Sequence, residues 1–286
     1  MDSNQNLEKD RLGRPRKSEE DHQKDWLSGL PDEILLHILS FLPIKDAVKT
    51  VLIRRFGSLW RSIPILDFDQ CKYHSCYNGP YCNKKFINLI HQVKKLNDSS
   101  RLAKLRLKFA FLKGCDNMHK DHALKSTTNE IDALVHYALG KKVNFLDLDV
   151  LGCGFLELIE DYSVPDDVFR SDHLTELRLA FCNIEFHGEI SLKSLKVLSL
   201  NEIELNDKLM EKVLVGCPSL EDLSLIGCFG FRKLNCSAIR NLKKLKLVLY
   251  TKKTLIITCP SVVSLEIAGC VESARLLDVS SVIDTS

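Results

Sequence analysis

The sequence predicts an α/β molecule: a small helical N-terminal unit, then a solenoid with parallel strands on its concave face and helices and turns on its convex face. Three observations predict it. From residue 102 a Leu-x-x-Leu-x-Leu pattern recurs seven times, two of the segments between copies carry a helical period, and residues 30 to 42 space their apolar side chains as a helix does.

Residues 1–25 mix Asn, Gln, Lys, Asp and Glu without apolar periodicity, which predicts a disordered tail. Within it, Leu12-Gly13-Arg14-Pro15-Arg16-Lys17 resembles both the core of an AT-hook and a short basic nuclear-import signal. Glu19, Glu20 and Asp21 follow at once and repel phosphate, so a solvated tail is the plainer reading, import comes next and DNA contact last.

The next element is a helix of about three turns. Ile34, Leu35, Ile38, Leu39 and Leu42 fall along one side, with His37 and Ser40 on the other. Pro31 suits the first turn, Asp32 and Glu33 complement the positive end of the helix dipole, and Pro43 forbids continuation. A second amphipathic run spans Lys45 to Trp60, with Ala47, Val48, Val51, Leu52, Phe56, Leu59 and Trp60 among basic residues. Short helices of this size enclose no core, so their apolar face must be covered by the rest of the chain or by another protein; the expectation is that the chain itself has no place for these side chains.

At these residues the sequence resembles the F-box, a motif that docks onto a Skp-type adaptor in cullin-based ubiquitin ligases. Leu30-Pro31-Asp32-Glu33-Ile34-Leu35, Ile38 to Pro43, Lys45 to Val48, Arg54-Arg55-Phe56 and Leu59-Trp60 match in order. The plant form ends in a proline and an acidic aromatic stretch, here Pro64-Ile65-Leu66-Asp67-Phe68-Asp69. The segment between Asp46 and Leu52 is one residue short of the motif, which is expected to rotate the start of the next helix and to weaken adaptor affinity. The resemblance implies an F-box over residues 26–68, with Leu30, Pro31, Ile34, Leu35, Ile38, Leu39, Leu42, Val48 and Trp60 forming the adaptor-facing and F-box-supporting surface.

Residues 69–100 form a connecting segment. Cys71, His74, Cys76 and Cys82 lie within a dozen residues, but not at the spacing of paired zinc knuckles, and three tyrosines make an aromatic-packed loop the better reading. Phe86 to Leu96 reads as a helix with Phe86, Leu89, Ile90 and Val93 on one face.

Residues 101–286 carry the repeat. First positions fall at Leu102, Val143, Leu174, Leu195, Leu220, Leu242 and Val262, separated by 41, 31, 21, 25, 22 and 20 residues. The later intervals have the period of about 20–29 residues of leucine-rich repeats. Each copy puts two alternate side chains into a shared core from one short strand. Asn129 to Gly140 and Asn206 to Gly216 read as helical connectors, each closed by a glycine. Val164-Pro165-Asp166-Asp167-Val168-Phe169 and Gly216-Cys217-Pro218-Ser219-Leu220 resemble linking phrases of the plant F-box/leucine-rich-repeat family, whose members usually continue into further repeats. Against that pattern the end of this sequence reads as truncated: Ala274 to Ile283 is expected to fold back as a makeshift eighth strand on a frayed edge.

The formal charge of +2 gives no whole-molecule pull toward polyanions, and no apolar run is long enough to span a membrane. Neither nucleic acid nor membrane is an expected partner, and nucleus or cytoplasm is the expected location. Eleven cysteines, mostly within apolar patterns, suit reduced packing thiols, and Cys153, Cys182, Cys228 and Cys270 recur just after the strands. No phosphate-binding loop, His-Glu-x-x-His or nucleophile-elbow motif occurs, and the nearby His119 and His122 suggest only a solvated loop. No catalytic residue, cofactor or metal is expected.

The resemblance therefore implies a non-catalytic substrate receptor, the recognition subunit of an SCF-type ligase that binds a Skp-type adaptor, and through it a cullin, at one end and an unidentified target protein at the other. The competing readings are a ligase-independent interaction scaffold or a degenerate family member. The outward strand positions Lys104, Arg106, Asp147, Asp149, Glu176 and Arg178 are the candidate target-binding residues, with Lys108, Ser199, Ser224, Lys244, Lys246 and Glu266 continuing the face. A basic patch beside an acidic one suggests a peptide partner of mixed charge.

Overall fold

In this computed structural model the described residues are 27–53, 56–73, 81–109, 120–150, 162–251, 254–271 and 274–285. The basic tail motif, Arg54 and Arg55, His74 and Cys76, His119 and Cys153 lie outside them, as do the side chains of Cys71, Cys82 and His122.

The N-terminal unit begins with α1 (Asp32–Ser40), where Pro31 stands at the N-cap and its carbonyl accepts the first two helical N–H groups, from Ile34 and Leu35. Phe41 closes the helix, its N–H donating to the Ile38 carbonyl and that of Leu42 to the Leu39 carbonyl. After Pro43 comes α2 (Ile44–Lys49), only six residues long. The run expected from Lys45 to Trp60 is not one helix: it breaks into 3-10 turns at Thr50–Leu52 and Leu59–Ser62.

Strand β1 (Ile65–Asp69) follows, then α3 (Gln70–Tyr73), α4 (Tyr81–Leu96), β2 (Lys104–Lys108), α5 (Lys120–Gly140), β3 (Phe145–Asp149), β4 (Tyr162–Ser163), β5 (Glu176–Ala180) and β6 (Cys182–Asn183). The chain continues through β7 (Val197–Asn201), α6 (Asp207–Gly216), β8 (Asp222–Ile226), β9 (Lys233–Asn235), β10 (Lys244–Thr251), β11 (Leu255–Thr258), β12 (Ser264–Val271), β13 (Ala274–Asp278) and β14 (Asp284–Thr285). One sheet holds nine strands in the order β1-β2-β3-β5-β7-β8-β10-β12-β14, with every pairing parallel. All seven repeat strands are in it. So is β1, the acidic aromatic tail of the F-box motif, which the sequence did not mark as a strand.

Register stacks the leucines into two inward columns. Leu66, Leu105, Leu146, Leu177, Leu198, Leu223, Leu245 and Leu265 form one; Phe68, Leu107, Leu148, Leu179, Leu200, Leu225, Leu247 and Ile267 form the other. All but Ile267, which is partly buried, are buried, so each rung shields its neighbours. The backbone ladder runs one residue past the strands: the N–H groups of Phe109, Val150, Phe181, Glu202 and Gly227 each donate to a carbonyl in the next rung at 2.6–3.1 Å. At Phe181, Glu202 and Gly227 the chain then turns away through positive φ (54°, 51° and 64°).

The helical connectors appear as expected. Helix α5 starts earlier than the apolar period suggested, and α6 is capped by Asn206, whose side-chain oxygen accepts from Leu209 N at 2.8 Å. Gly216 ends α6 where a Cβ would fall 2.5 Å from the Ile190 carbonyl oxygen, so only glycine allows that approach.

The eighth strand expected over Ala274 to Ile283 does not join the main sheet. Ala274–Asp278 joins a second, three-stranded sheet in the order β13-β11-β9, and only Asp284–Thr285 adds to the main sheet beside β12. Leu276, Leu277 and Ile283 are exposed there.

Candidate interaction surfaces

Helix α1 has two apolar faces, not one. Leu35 and Leu39, four residues apart, are 0% and 1% exposed and join Ile44, Ala47, Phe56, Trp60 and Ile63 in a core continuous with the solenoid leucines. The expectation that these side chains have no place inside the chain is overturned: β1 brings Leu66 and Phe68 beneath them as the first rung of the sheet. Leu35, Leu39 and Trp60 therefore support the unit from within, and Leu30 and Val48 pack against that core partly buried. Ile34, Ile38 and Leu42 remain exposed, together with Pro31 at the helix entry. The sequence reading omitted Phe41, which completes the Ile34–Ile38–Phe41 stripe at helical spacing, is 74% exposed and sets its ring edge-on to His37 at 4.8 Å. Its place at the helix C-cap hid it from a count of helical positions. Val51, Leu52 and Ile53 are exposed as well, on the 3-10 turn.

The helical unit is fixed to the solenoid by hydrogen bonds around Asn97. Its side-chain nitrogen donates to the Arg61 and Ile63 carbonyls (2.8 and 3.1 Å), and its carbonyl oxygens accept from the Tyr137 hydroxyl of α5. Arg61 Nε donates to the Leu96 carbonyl at 3.1 Å, and the Ser62 hydroxyl donates to Asp98 at 2.6 Å. A buried side chain bonded to three elements fixes their mutual placement, because shifting any one leaves a buried polar group unpaired.

The outward sheet positions line up by register into rows. One reads Asp67, Arg106, Asp147, Arg178, Ser199, Ser224, Lys246, Glu266 across the first eight of the nine strands. Signs alternate over the first four strands and again between Lys246 and Glu266, so the charges meet one another. Arg106 lies between Asp67 (3.6 Å) and Asp147 (3.4 Å), Lys108 meets Asp149 (3.0 Å), Lys246 meets Glu266 (2.6 Å), and Arg178 pairs with Glu176 within its own strand. Lys104 stands 4.2 Å over the Phe145 ring and Arg178 5.3 Å from it, which makes Phe145 a further outward residue the sequence reading passed over. The basic patch beside an acidic one is in fact an interleaved lattice. Burial, the leading cause, raises the Asp147 carboxyl above its ordinary value although Arg106, Arg178 and Lys104 act against it. With Asp147 largely covered, desolvation outweighs its 3.4 Å contact with Arg106. Beyond the charged rows, Ile226, Val248 and Ala268 form an apolar outward row and Tyr250 is 67% exposed.

Cys182, Cys217, Cys228, Cys236 and Cys259 are buried, and burial pushes the thiols of Cys217 and Cys236 up to about 12 and that of Cys228 to about 11, which keeps them unreactive. Cys270, expected to pack inside with Cys182 and Cys228, is exposed, because the longer strand β12 carries it outward beside Tyr250. Among the described residues no group of three or more His, Cys, Asp or Glu could hold a metal ion, and no helix is long and apolar enough to cross a membrane.

A two-faced helical unit built onto the first rung of a leucine-rich-repeat sheet defines the F-box/leucine-rich-repeat class. Residues 27–67 match the F-box domain model, and residues 132–278 match the model described as FBD-associated F-box protein At5g56370, LRR repeats. The chain belongs to the plant F-box/leucine-rich-repeat family. Among its relatives in Arabidopsis thaliana, the F-box/LRR-repeat protein At4g00320 is 30% identical over 215 residues, covering 72% of this chain and 40% of that protein. The F-box/LRR-repeat protein At4g14096 is 30% identical over 205 residues (71% and 40%), and the FBD-associated F-box protein At1g66310 is 28% identical over 221 residues (77% and 45%). The chain spans about two fifths of the length of the curated relatives it matches.

Proposed function

We propose that this chain is the substrate-recognition subunit of an SCF-type cullin ubiquitin ligase, binding a Skp-type adaptor through the exposed face of α1 and a target protein through the solenoid. The observation that carries the reading is the exposed stripe of Ile34, Ile38, Phe41 and Leu42 on a helix whose other face is already buried. Aliphatic side chains grouped this way lose contact with water only when a second protein covers them, at about 1.5–3 kcal/mol for each one fully buried. The mechanism is proximity: the receptor raises the effective concentration of a target near the ubiquitin donor and performs no bond chemistry. The Asn97 network supports it, since a receptor rigid between its two ends holds a target at a fixed distance from the adaptor. Expression with a Skp-type adaptor and a cullin, followed by size exclusion, tests the reading. Co-elution of all three proteins is the expected result, and elution of the chain apart from the adaptor favours the ligase-independent scaffold.

A further inference from the structure

Helix α4 has sixteen residues and four lysines but no aspartate or glutamate. Its inward face is Phe86, Ile90 and Val93, all buried, and at 100° per residue the opposite face gathers Lys84, Asn88, His91 and Lys95, with Lys85 and Gln92 at its margin; all six are exposed. Lys84 and Lys95 stand about 16 Å apart along the axis. Glu130 of α5 reaches Lys94 at 3.7 Å and His91 at 3.8 Å, and no ion pair with a described carboxylate engages Lys84, Lys85 or Lys95.

The contrast with the sheet is electrostatic. There Lys104, Arg106, Lys108, Arg178 and Lys246 each sit within reach of a carboxylate or an aromatic ring, whereas on α4 three cations are gathered in a chain whose formal charge is only +2. The helix is also held firmly, since the Leu96 carbonyl at its C-terminus accepts from Arg61 of the helical unit. A fixed, net-positive face complements a discrete cluster of carboxylates. It suits nucleic acid poorly: three lysines neutralise roughly three phosphates, too few for duplex binding to survive physiological salt, and Glu130 and Asp98 flank the stripe.

We propose that the exposed face of α4, through Lys84, Lys85 and Lys95, is an electrostatic docking surface for an acidic segment of a protein partner. The inference stands apart from adaptor docking and from the concave face, neither of which it uses.

The test is fluorescence anisotropy with the full chain and three labelled probes: a Glu-Gly repeat peptide, a Gln-Gly peptide of the same length, and a DNA duplex of about 20 base pairs, at about 0.15 M salt. The acidic peptide should bind and the neutral one should not. Lys84→Glu/Lys85→Glu/Lys95→Glu should weaken the acidic peptide roughly tenfold or more. Lys193→Glu/Lys208→Glu/Lys243→Glu, which changes the net charge equally at exposed positions elsewhere, should leave binding within about twofold of wild type. Equal loss in both triple variants, or no loss in the α4 variant, would overturn the site. Duplex binding tighter than peptide binding, with the same lysine dependence, would reassign it to nucleic acid.

Discussion

Helix α1 and the charged sheet differ in what they leave unmet. The sheet presents charges that already have partners: Arg106 between two aspartates, Lys108 on Asp149, Lys246 on Glu266. Helix α1 presents exposed aliphatic side chains, Ile34, Ile38 and Leu42, with Phe41 three-quarters exposed beside the His37 ring. The difference teaches where association free energy comes from in this molecule. A docking partner on α1 removes apolar surface from water without breaking anything, whereas one that meets the charged rows must displace existing ion pairs and gains only the difference. If the proposed target meets the sheet, its charged rows are expected to select against wrong partners, and affinity is expected instead from uncharged positions such as Tyr250 and the Ile226–Val248–Ala268 row.

Substitution within α1 breaks the comparison most severely. Leu35 and Ile38 are three residues apart and both aliphatic, yet one is inside and the other outside. Leu35→Asp places an unpaired carboxylate in the core and should destabilise the protein by about 4 kcal/mol or more, seen as loss of the cooperative thermal transition. Ile38→Asp should shift the midpoint little.

The Asn97 network comes next. Asn97→Leu leaves the Ile63 carbonyl without its buried partner and removes one of two hydrogen bonds at both the Arg61 carbonyl and the Tyr137 hydroxyl, and should cost about 2 kcal/mol by denaturant midpoint. Hydrogen exchange should show the loss concentrated between residues 59 and 69, where the helical unit meets the sheet.

The sequence made the solenoid legible because its signal is periodic: seven copies fix the strands, their inward leucines and two connecting helices. It hid β1 because Ile65-Leu66-Asp67-Phe68-Asp69 resembles the end of one motif as much as the strand of another, and only pairing with β2 decides. It merged the two faces of α1 because both are aliphatic, so periodicity finds the helix but not which side its own chain covers. The lattice of charges was invisible for a related reason. Outward residues follow from alternation within a strand, but their neighbours follow from register between strands 20 to 40 residues apart. The split of Ala274–Thr285 between two sheets is likewise a long-range choice of partners.

Smaller effects sharpen the account of the sheet. Burial raises the folded-state pKa of Asp147 above its ordinary 3.8, so its contribution to stability is fully present below that value and is lost as pH rises through the folded pKa. Asp147→Asn should accordingly match or exceed wild type at neutral pH and lose that relative advantage toward pH 3, with a difference below about 1 kcal/mol. Thermal midpoints of the two proteins across that range check the sign. A variant less stable than wild type at neutral pH and equal to it in acid would mean that the Arg106 contact outweighs burial after all.

The central claim is that the exposed face of α1, and not its buried one, is the docking surface, and titration of a purified Skp-type adaptor into the intact chain tests it most directly. Ile34→Asp/Ile38→Asp should keep the wild-type thermal midpoint and lose measurable adaptor binding. Adaptor affinity equal to that of wild type in the same folded variant would contradict the account.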